Sequence, residues 1–547
     1  MLKIACAQLD YIIGDFEGNT EQIINSIIKA KHEGADLVCF SELAICGYPP
    51  RDFLEFDDFI DRSNASIEKI LAYTNDIGVI LGAPIKNPDV EGKDLFNAAL
   101  FIYQNKIQFT YHKTLLPTYD IFDEYRYFEP GKTFDIFEFK GYKIAITICE
   151  DIWNIGNDNP LYTICPMDEI INHSPDFMVN LSASPFSYTQ REERLRILKE
   201  NANKYQLPIF YINQCGAQTE LIFDGGSIVM NTNGSVYDEM TYFTPSINVY
   251  DVKEVLGGNS NIMPKTFLKI EKIHDALVMG VKSYFDKLSL SKAMVGLSGG
   301  IDSAVTLAIT ARALGHENTH AVLMPGPFSS DHSVEDAISL SEKLNVSYDI
   351  IPIESVYESY LHLLKPVFGN RPFDITEENI QARIRGMILM AMSNKFGYIV
   401  LNTSNKSEAA VGYGTLYGDM CGGLSVIGDL YKTEVYELAN FMNTEKIIIP
   451  INTIEKPPSA ELRPDQFDSD SLPDYDILDQ ILFLYIEKRK GPEEIAKLGF
   501  DRELVRKVLR LVNMNEFKRY QTAPVLRVSP KAFGIGRRMP IVGKYLS

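Results

Sequence analysis

Short apolar runs of strand length recur through the first half of the chain, separated by polar stretches. Asp36–Phe40, Val79–Leu81, Lys143–Cys149 and Asp176–Leu181 are nearly continuous in apolar residues, the pattern of strands covered on both faces. Between the strand expected at the start of the chain and the first of these, Ile23, Ile24, Ile27 and Ile28 recur at helical spacing. Asn19 with Gln22 three residues later predicts the cap that opens this helix, and Gly34 predicts its end. Asn97–Tyr103 and Ile107–His112, joined across Gln104-Asn105-Lys106, read as a hairpin. Residues 1–255 are therefore expected to form mixed β-structure with helices.

A connector is predicted at 256–268, where Gly257-Gly258-Asn259-Ser260-Asn261 and Pro264 interrupt the periodic pattern. Beyond it, in 269–547, a helix (about 269–287) precedes a strict alternation of strand and helix. The segments are Ala293–Leu297, Asp302–Leu314, His320–Met324, Glu335–Leu344 and Tyr348–Ile353. That order implies right-handed βαβ units in a doubly wound parallel sheet, with ligands at the carboxyl ends of its strands. The acidic stretch Asp465–Asp476 reads as a solvated loop.

Composition narrows the picture. With 547 residues the chain holds two large domains or several ordinary ones, and 45% hydrophobic with 23% charged residues is the balance of a globular protein. Its 53 basic and 73 acidic side chains give a net charge of -20, which disfavours nucleic-acid or anionic-membrane partners. Seven cysteines without a C-x-x-C pair argue against a disulfide framework and for a reducing, cytoplasmic setting. No apolar run reaches 18 residues, so neither a signal peptide nor a membrane span is expected. His316 and His320 have metal-like spacing but lack a third ligand and read as surface residues.

Two segments carry chemistry. The strand Ala293–Leu297 runs into Ser298-Gly299-Gly300-Ile301-Asp302-Ser303 and then a helix. Adjacent glycines let successive N–H groups face an anion, the helix N-terminus adds its dipole, and the two serines add hydroxyl donors. Asp302 beside a polyanion makes sense when it faces a divalent cation. Without Gly-Lys-Ser/Thr this is no Walker loop; it resembles the PP-loop of ATP pyrophosphatases, which split ATP into AMP and pyrophosphate. In the first half, Cys149 ends a buried strand, Glu42 follows a second, and Lys113 follows a third. A thiol at a strand end is rigid yet reachable, a buried carboxylate can act as its base, and an ammonium stabilises negative charge.

Glu42, Lys113 and Cys149, in the contexts Ser41-Glu42-Leu43, His112-Lys113-Thr114-Leu115-Leu116-Pro117 and Ile148-Cys149-Glu150-Asp151, resemble the triad of the nitrilase superfamily. That resemblance implies an αββα sandwich and attack by Cys149 on a carboxamide through a thioester, with Glu124 as an additional glutamate beside the triad. A nitrilase-like half followed by a PP-loop half resembles the glutamine-dependent NAD synthetase family across nearly the whole chain. The resemblance implies that ATP adenylates the nicotinate carboxylate of deamido-NAD and that ammonia, released from glutamine and channelled, displaces AMP. Free ammonium also serves as a nitrogen source by this reading. It implies Tyr119, Glu124 and Ser184 at glutamine, and Gly296, Leu297, Ser298, Gly299, Gly300, Ile301, Asp302, Ser303, Thr403, Lys432 and Ser459 at ATP. Asn379, Arg383, Glu408 and Lys518 fall to deamido-NAD, with Asp302 and Glu408 also as Mg²⁺ ligands. Glu408 matches a position that binds deamido-NAD in one branch and Mg²⁺ in another, and both stay open. A homo-oligomer is implied as well.

One position departs from the family pattern. Many members have lysine six residues after the serine corresponding to Ser184, whereas this chain has Gln190, leaving Arg191 or Arg194 as substitutes for holding the glutamine carboxylate. Two rival readings are a glutamine-dependent synthetase for another acceptor, and a nitrilase-type amidase whose PP-loop half only senses nucleotide.

Overall fold

The computed structural model describes residues 2–89, 91–155, 161–258 and 265–546. The chain forms two compact units, Met1–Phe267 and Leu268–Ser547. Residues 259–264, the centre of the predicted connector, lie outside the described residues.

In the N-terminal unit two six-stranded sheets face each other. One runs in the order Ser246–Asp251, Lys3–Gln8, Leu37–Cys39, Gly78–Lys86, Leu95–Tyr103, Lys106–His112. The other runs Val236–Glu239, Ile228–Met230, Ile209–Asn213, Phe177–Ser182, Tyr142–Ile148, Phe137–Phe139. Side-chain alternation builds the layers. Ile4, Cys6, Leu37 and Cys39 enter a core shared with the second sheet, while Ala5, Ala7, Val38 and Phe40 pack on the opposite face against Phe16, Ile23 and Ile27 of the helix Phe16–His32. On the outer side of the second sheet lie Ile197, Leu198 and Ala202 of the helix Gln190–Tyr205. The result is an αββα sandwich.

Local details correct the sequence reading. The first helix begins one turn before Asn19: Asp15 caps it by accepting from Gly18 N at 2.9 Å. Asn19 is instead buried within the helix, donating from Nδ2 to the carbonyls of Ile12 and Ile45. Its apolar face is narrower than expected, since Ile28 is 40% exposed. In the hairpin, Lys106 already belongs to the second strand, and Gln104 and Asn105 form a two-residue turn with φ of 53° and 59°. Both central residues in the left-handed region match the right-handed twist of the flanking strands.

The C-terminal unit contains a five-stranded, wholly parallel sheet in the order Ser347–Ile350, Thr319–Leu323, Ala293–Gly296, Ile399–Asn402, Leu424–Ser425. Strand order reverses between Ala293–Gly296 and Ile399–Asn402, so the loops after those two strands diverge and leave a crevice at their carboxyl ends. The strand expected at Tyr348–Ile353 is shorter and shifted, an edge strand with Ser347, Asp349 and Ile350 exposed. His320 is buried on the neighbouring strand, hydrogen-bonded to Ser347 Oγ at 2.8 Å and Asp349 at 3.1 Å, which corrects the surface reading. The acidic stretch is not simply solvated. Asp468 and Leu472 are buried, and Asp468 accepts from the hydroxyls of Tyr413 and Tyr475. Among the described residues no helix is long and apolar enough to cross a membrane.

Candidate active sites

In the N-terminal unit the three strand ends converge. Lys113 Nζ donates to Glu42 Oε1 at 2.6 Å and to Glu124 Oε1 and Oε2 at 2.9 and 2.8 Å, and all three side chains are buried. Asn97 Nδ2 and Ala183 N also donate to Glu42, and the Tyr48 hydroxyl donates to Glu124. Gly82 permits the approach of the Glu42 segment, since a Cβ there would lie 2.4 Å from Leu43 N and 2.5 Å from Ser41 O. Cys149 leaves its strand with φ 41°, a left-handed conformation that turns the chain sharply into Cys149–Ile152. Asp151 holds that turn to the lysine's segment. Its Oδ1 accepts from Thr114 N and Leu115 N at 3.0 and 2.8 Å, and its Oδ2 accepts from Ile148 N at 3.0 Å and from the Tyr111 hydroxyl.

The electrostatics follow from burial in a crowded set of charges. Burial, reinforced by Glu42, pushes the Cys149 thiol well above its ordinary value, and Lys113 only partly opposes this. Burial works against the Lys113 ammonium, yet Glu124 and Glu42 outweigh it and hold the lysine charged. Burial, with Glu42 nearby, raises Glu124 despite Lys113. The site at rest is therefore a protonated thiol beside a lysine clamped between two carboxyl groups.

Tyr119 and Ser184 stand near this cluster. The Tyr119 hydroxyl donates to Glu150 at 2.9 and 3.0 Å, and Tyr162 donates to the same carboxyl at 3.0 Å. Burial pushes Glu150 up to about 7. Ser184 Oγ accepts from Gln190 Nε2 at 3.3 Å. The two arginines considered as substitutes for the absent lysine are already committed. Arg191 forms a two-pronged pair with Glu239 at 2.6 and 2.8 Å, and Arg194 pairs with Asp224 at 2.9 and 3.3 Å. Each guanidinium is consumed by a buried carboxylate, so Gln190 itself is the side chain that reaches Ser184.

In the C-terminal unit the loop after Ala293–Gly296 folds on itself. Ser303 Oγ lies 3.2 Å from Ser298 N, 3.1 Å from Ser298 Oγ and 3.0 Å from Gly300 O, and Gly300 N donates to Ser298 Oγ. Gly299 has φ +81°, and a Cβ there would meet Ser333 O at 2.1 Å. Gly300 then caps the 14-residue helix Ile301–Leu314, whose first N–H groups face the crevice. Asp302 accepts from Lys432 Nζ at 2.5 Å and from Asn405 Nδ2 at 2.9 Å, while Glu408 accepts from the same Nζ at 3.2 Å. Asn405 in turn caps Lys406–Val411 by accepting from Glu408 N, which fixes where Glu408 points.

Asp302, Lys432 and Glu408 line a cavity of about 300 Å³, together with Gly296, Leu297, Ser298, Gly300, Ile301, Ser303, Thr403 and Ser459. Asn379, Arg383 and Lys518 lie elsewhere, gathered on the loop Gly412–Asp419. Asn379 accepts from Thr415 Oγ1, Arg383 donates to Leu416 O, and Lys518 donates to the carbonyls of Gly412 and Gly414. Sequence reasoning missed Asn97, Tyr48, Glu150 and Asp151 in the first site and Asn405, Asp419, Asp468 and Arg385 around the second. Asp151 stood inside a segment already singled out and Asn405 lay between Thr403 and Glu408, but nothing in their spacing revealed what they would hold.

Four carboxyl groups give the protein a pH signature. Burial, largest in each case, lifts Glu408 to about 8, Glu150 to about 7, and Asp151 and Asp419 to about 6. Each folded value exceeds the unfolded one, so each group stabilises the fold while protonated and loses that contribution as pH rises through its folded value. The slope reaches about 1.4 kcal/mol per pH unit for each group. The ligand-free melting temperature is expected to fall between pH 6 and 8.5, and Glu408→Gln, uncharged throughout, should flatten that fall. An unchanged slope in thermal melts of the variant would mean that Glu408 is ionised in the folded protein.

The N-terminal unit matches the carbon–nitrogen hydrolase family over residues 3–257, and the C-terminal unit matches the NAD synthase family over residues 273–522. Fold and sites thus define a two-unit chain, a carbon–nitrogen hydrolase joined to an NAD synthase. Among curated relatives, the glutamine-dependent NAD(+) synthetase of Synechocystis sp. is 44% identical over 99% of this chain and 98% of its own length. That of Thermotoga maritima is 40% identical over 100% and 99%. A solved glutamine-dependent NAD+ synthetase from Acinetobacter baumannii, in complex with ADP, is 38% identical with a TM-score of 0.79, covering 99% of this chain and 98% of that one. The chain belongs to the glutamine-dependent NAD(+) synthetase family.

Proposed function

We propose that this chain forms NAD from deamido-NAD, ATP and glutamine, releasing AMP, pyrophosphate and glutamate. The observation that carries the reading is the presence in one family-matched chain of two complete constellations, the buried Glu42–Lys113–Cys149 set and the PP-loop cavity with Asp302 and Lys432.

In this reading Cys149, protonated at rest, gives its proton to Glu42 as its sulfur attacks the carboxamide carbon of glutamine. Lys113, kept charged by Glu42 and Glu124, faces the developing oxyanion. The carbon–nitrogen bond breaks, ammonia leaves with a proton returned through Glu42, and water then cleaves the thioester to glutamate. Tyr119 and Ser184 are assigned to hold the glutamine, with Gln190 reinforcing Ser184. A neutral amide in place of an ammonium implies that hydrogen bonds rather than an ion pair recognise the carboxylate at that position.

In the C-terminal unit the backbone N–H groups of the Ser298–Ser303 loop, the helix end behind them and Lys432 are assigned to the ATP phosphates, with Thr403 and Ser459 on the cavity wall. The nicotinate carboxylate attacks the α-phosphorus, pyrophosphate leaves, and ammonia displaces AMP from the mixed anhydride. Asn379, Arg383 and Lys518 are assigned to deamido-NAD through the loop they share. Asp302 and Glu408 present carboxylate oxygens to one cationic atom, a donor set suited to Mg²⁺ completed by ATP phosphates. Mg²⁺ bound there would neutralise phosphate charge; the protein's part is to aim the two carboxylates. Cysteine usage supports a reducing, cytoplasmic setting.

The reading is tested by product analysis with deamido-NAD, ATP, Mg²⁺ and either glutamine or ammonium. Pyrophosphate release without NAD would indicate another acceptor, and ATP binding without pyrophosphate release would favour a nucleotide-sensing amidase.

Self-association is proposed from a separate observation. The helices Glu354–Phe368 and Ile375–Phe396 leave Leu363 70%, Val367 79%, Ile375 68% and Met387 63% exposed. Large apolar side chains clustered on neighbouring helices mark an interaction surface. Sedimentation should find wild type as an oligomer at micromolar concentration, and Leu363→Asp with Val367→Asp should shift it toward monomer; a monomeric wild type overturns the proposal.

A further inference from the structure

Three basic side chains line the cavity of the C-terminal unit: Lys432, Lys456 and Arg385. Lys432 is neutralised by Asp302 and donates a second hydrogen bond to Glu408, and Lys456 lies 3.6 Å from Asp336 while donating to Ser333 Oγ. Arg385 differs. Its Nε donates to Met324 O at 3.0 Å, and among the described residues no carboxylate comes within ion-pairing distance of it. Asp419 and Glu461 are the acidic groups that face it, and both are held by other donors. Asp419 accepts from Thr415 N at 2.6 Å, and Glu461 accepts from Ser330 and Ser333. Burial pulls the Arg385 guanidinium down only to about 10, so it is charged at neutral pH.

Its surroundings are built to let it reach the cavity wall. At Gly326, in the turn after Thr319–Leu323, a Cβ would lie 2.8 Å from Arg385 Nη2 and 3.1 Å from Gln381 Oε1. Gln381 precedes Arg385 by one helical turn and is fully buried. Its Nε2 donates to Leu462 O, whereas its Oε1 lacks a hydrogen-bond partner among the described residues. A half-buried guanidinium without a direct counter-ion is under-compensated, and an anion would complete it. Its planar fork of donors suits a phosphate or carboxylate. The phosphate-binding loop lines the same cavity, so an anionic ligand is already expected there.

We propose that Arg385 is a substrate-binding residue that pairs with an oxyanion of the nucleotide substrates, a phosphate of ATP or the phosphate or carboxylate of deamido-NAD. This rests on the function proposed above and adds to it a cation outside the PP-loop and Lys432. Full-length wild type, Arg385→Gln and Arg385→Lys are titrated calorimetrically with ATP alone and with deamido-NAD alone, and are then assayed for NAD formation from ammonium. Arg385→Gln should weaken one of the two ligands by about 30-fold or more, with Arg385→Lys recovering part of the loss. The ligand that weakens identifies which oxyanion is held. A purely structural role is read separately: removing an uncompensated charge should leave the ligand-free melting temperature unchanged or higher. Affinities within threefold of wild type for both ligands in both variants overturn the proposal, as does a lower ligand-free melting temperature with unchanged affinities in Arg385→Lys. Failure of the wild type to make NAD counts against the functional reading alone, because the two binding titrations still report on Arg385.

Discussion

Cys149→Ala is expected to lower NAD formation from glutamine by about 10⁴-fold or more while leaving formation from ammonium within about threefold of wild type. The size of the first effect follows from the site's construction. Lys113 is clamped between Glu42 and Glu124, and neither an ammonium nor a hydrogen-bonded carboxylate can replace the thiol that Cys149 carries at the end of its strand. The substitution removes one sulfur from a buried turn whose position is set by Asp151 and its four donors, so the fold of the unit should persist. Sparing of the ammonium reaction is the discriminating half, because it requires the PP-loop unit to complete its chemistry with nitrogen from solution. Steady-state NAD formation with each nitrogen source, side by side, is the measurement. Loss of both activities would mean that the two sites do not work as separable stations.

Asp302→Ala is expected to lower pyrophosphate release by about 10³-fold or more with either nitrogen source. Asp302 is the residue through which the PP-loop, Lys432 and the Asn405 cap are tied together: its two carboxylate oxygens accept from Lys432 Nζ and Asn405 Nδ2. Removing it leaves Lys432 on Glu408 alone and takes the acceptor from Asn405 Nδ2, loosening the side chain whose Oδ1 caps Glu408 N. It also halves the carboxylate set suited to Mg²⁺. Pyrophosphate release by the variant at the wild-type rate would remove the PP-loop assignment. A loss confined to the glutamine reaction would place Asp302 in communication between sites rather than in adenylation.

The amino-acid sequence determined the elements and most of the residues that carry chemistry. The ends of the strands before Glu42 and at Cys149 were legible from their apolar runs, Lys113 was singled out with them by resemblance to the nitrilase triad, and the PP-loop was legible because two glycines and an Asp-Ser sit between a strand and a helix. Both signals are local in the chain. The parallel sheet was likewise readable from alternation, since each strand and its return helix occupy one short stretch. The tertiary structure alone decided which groups meet. That Lys113 lies between Glu42 and Glu124, that Asp151 anchors the lysine's segment, and that Arg191 and Arg194 are spent on Glu239 and Asp224 depend on pairs from different elements, many of them dozens of residues apart in the chain. Burial decided the rest. Whether a carboxyl group such as Glu408 or Asp468 is solvated or desolvated, and whether a guanidinium such as Arg385 has a counter-ion, is set by neighbours that only folding supplies, because desolvation acts through space and leaves no periodicity in the sequence.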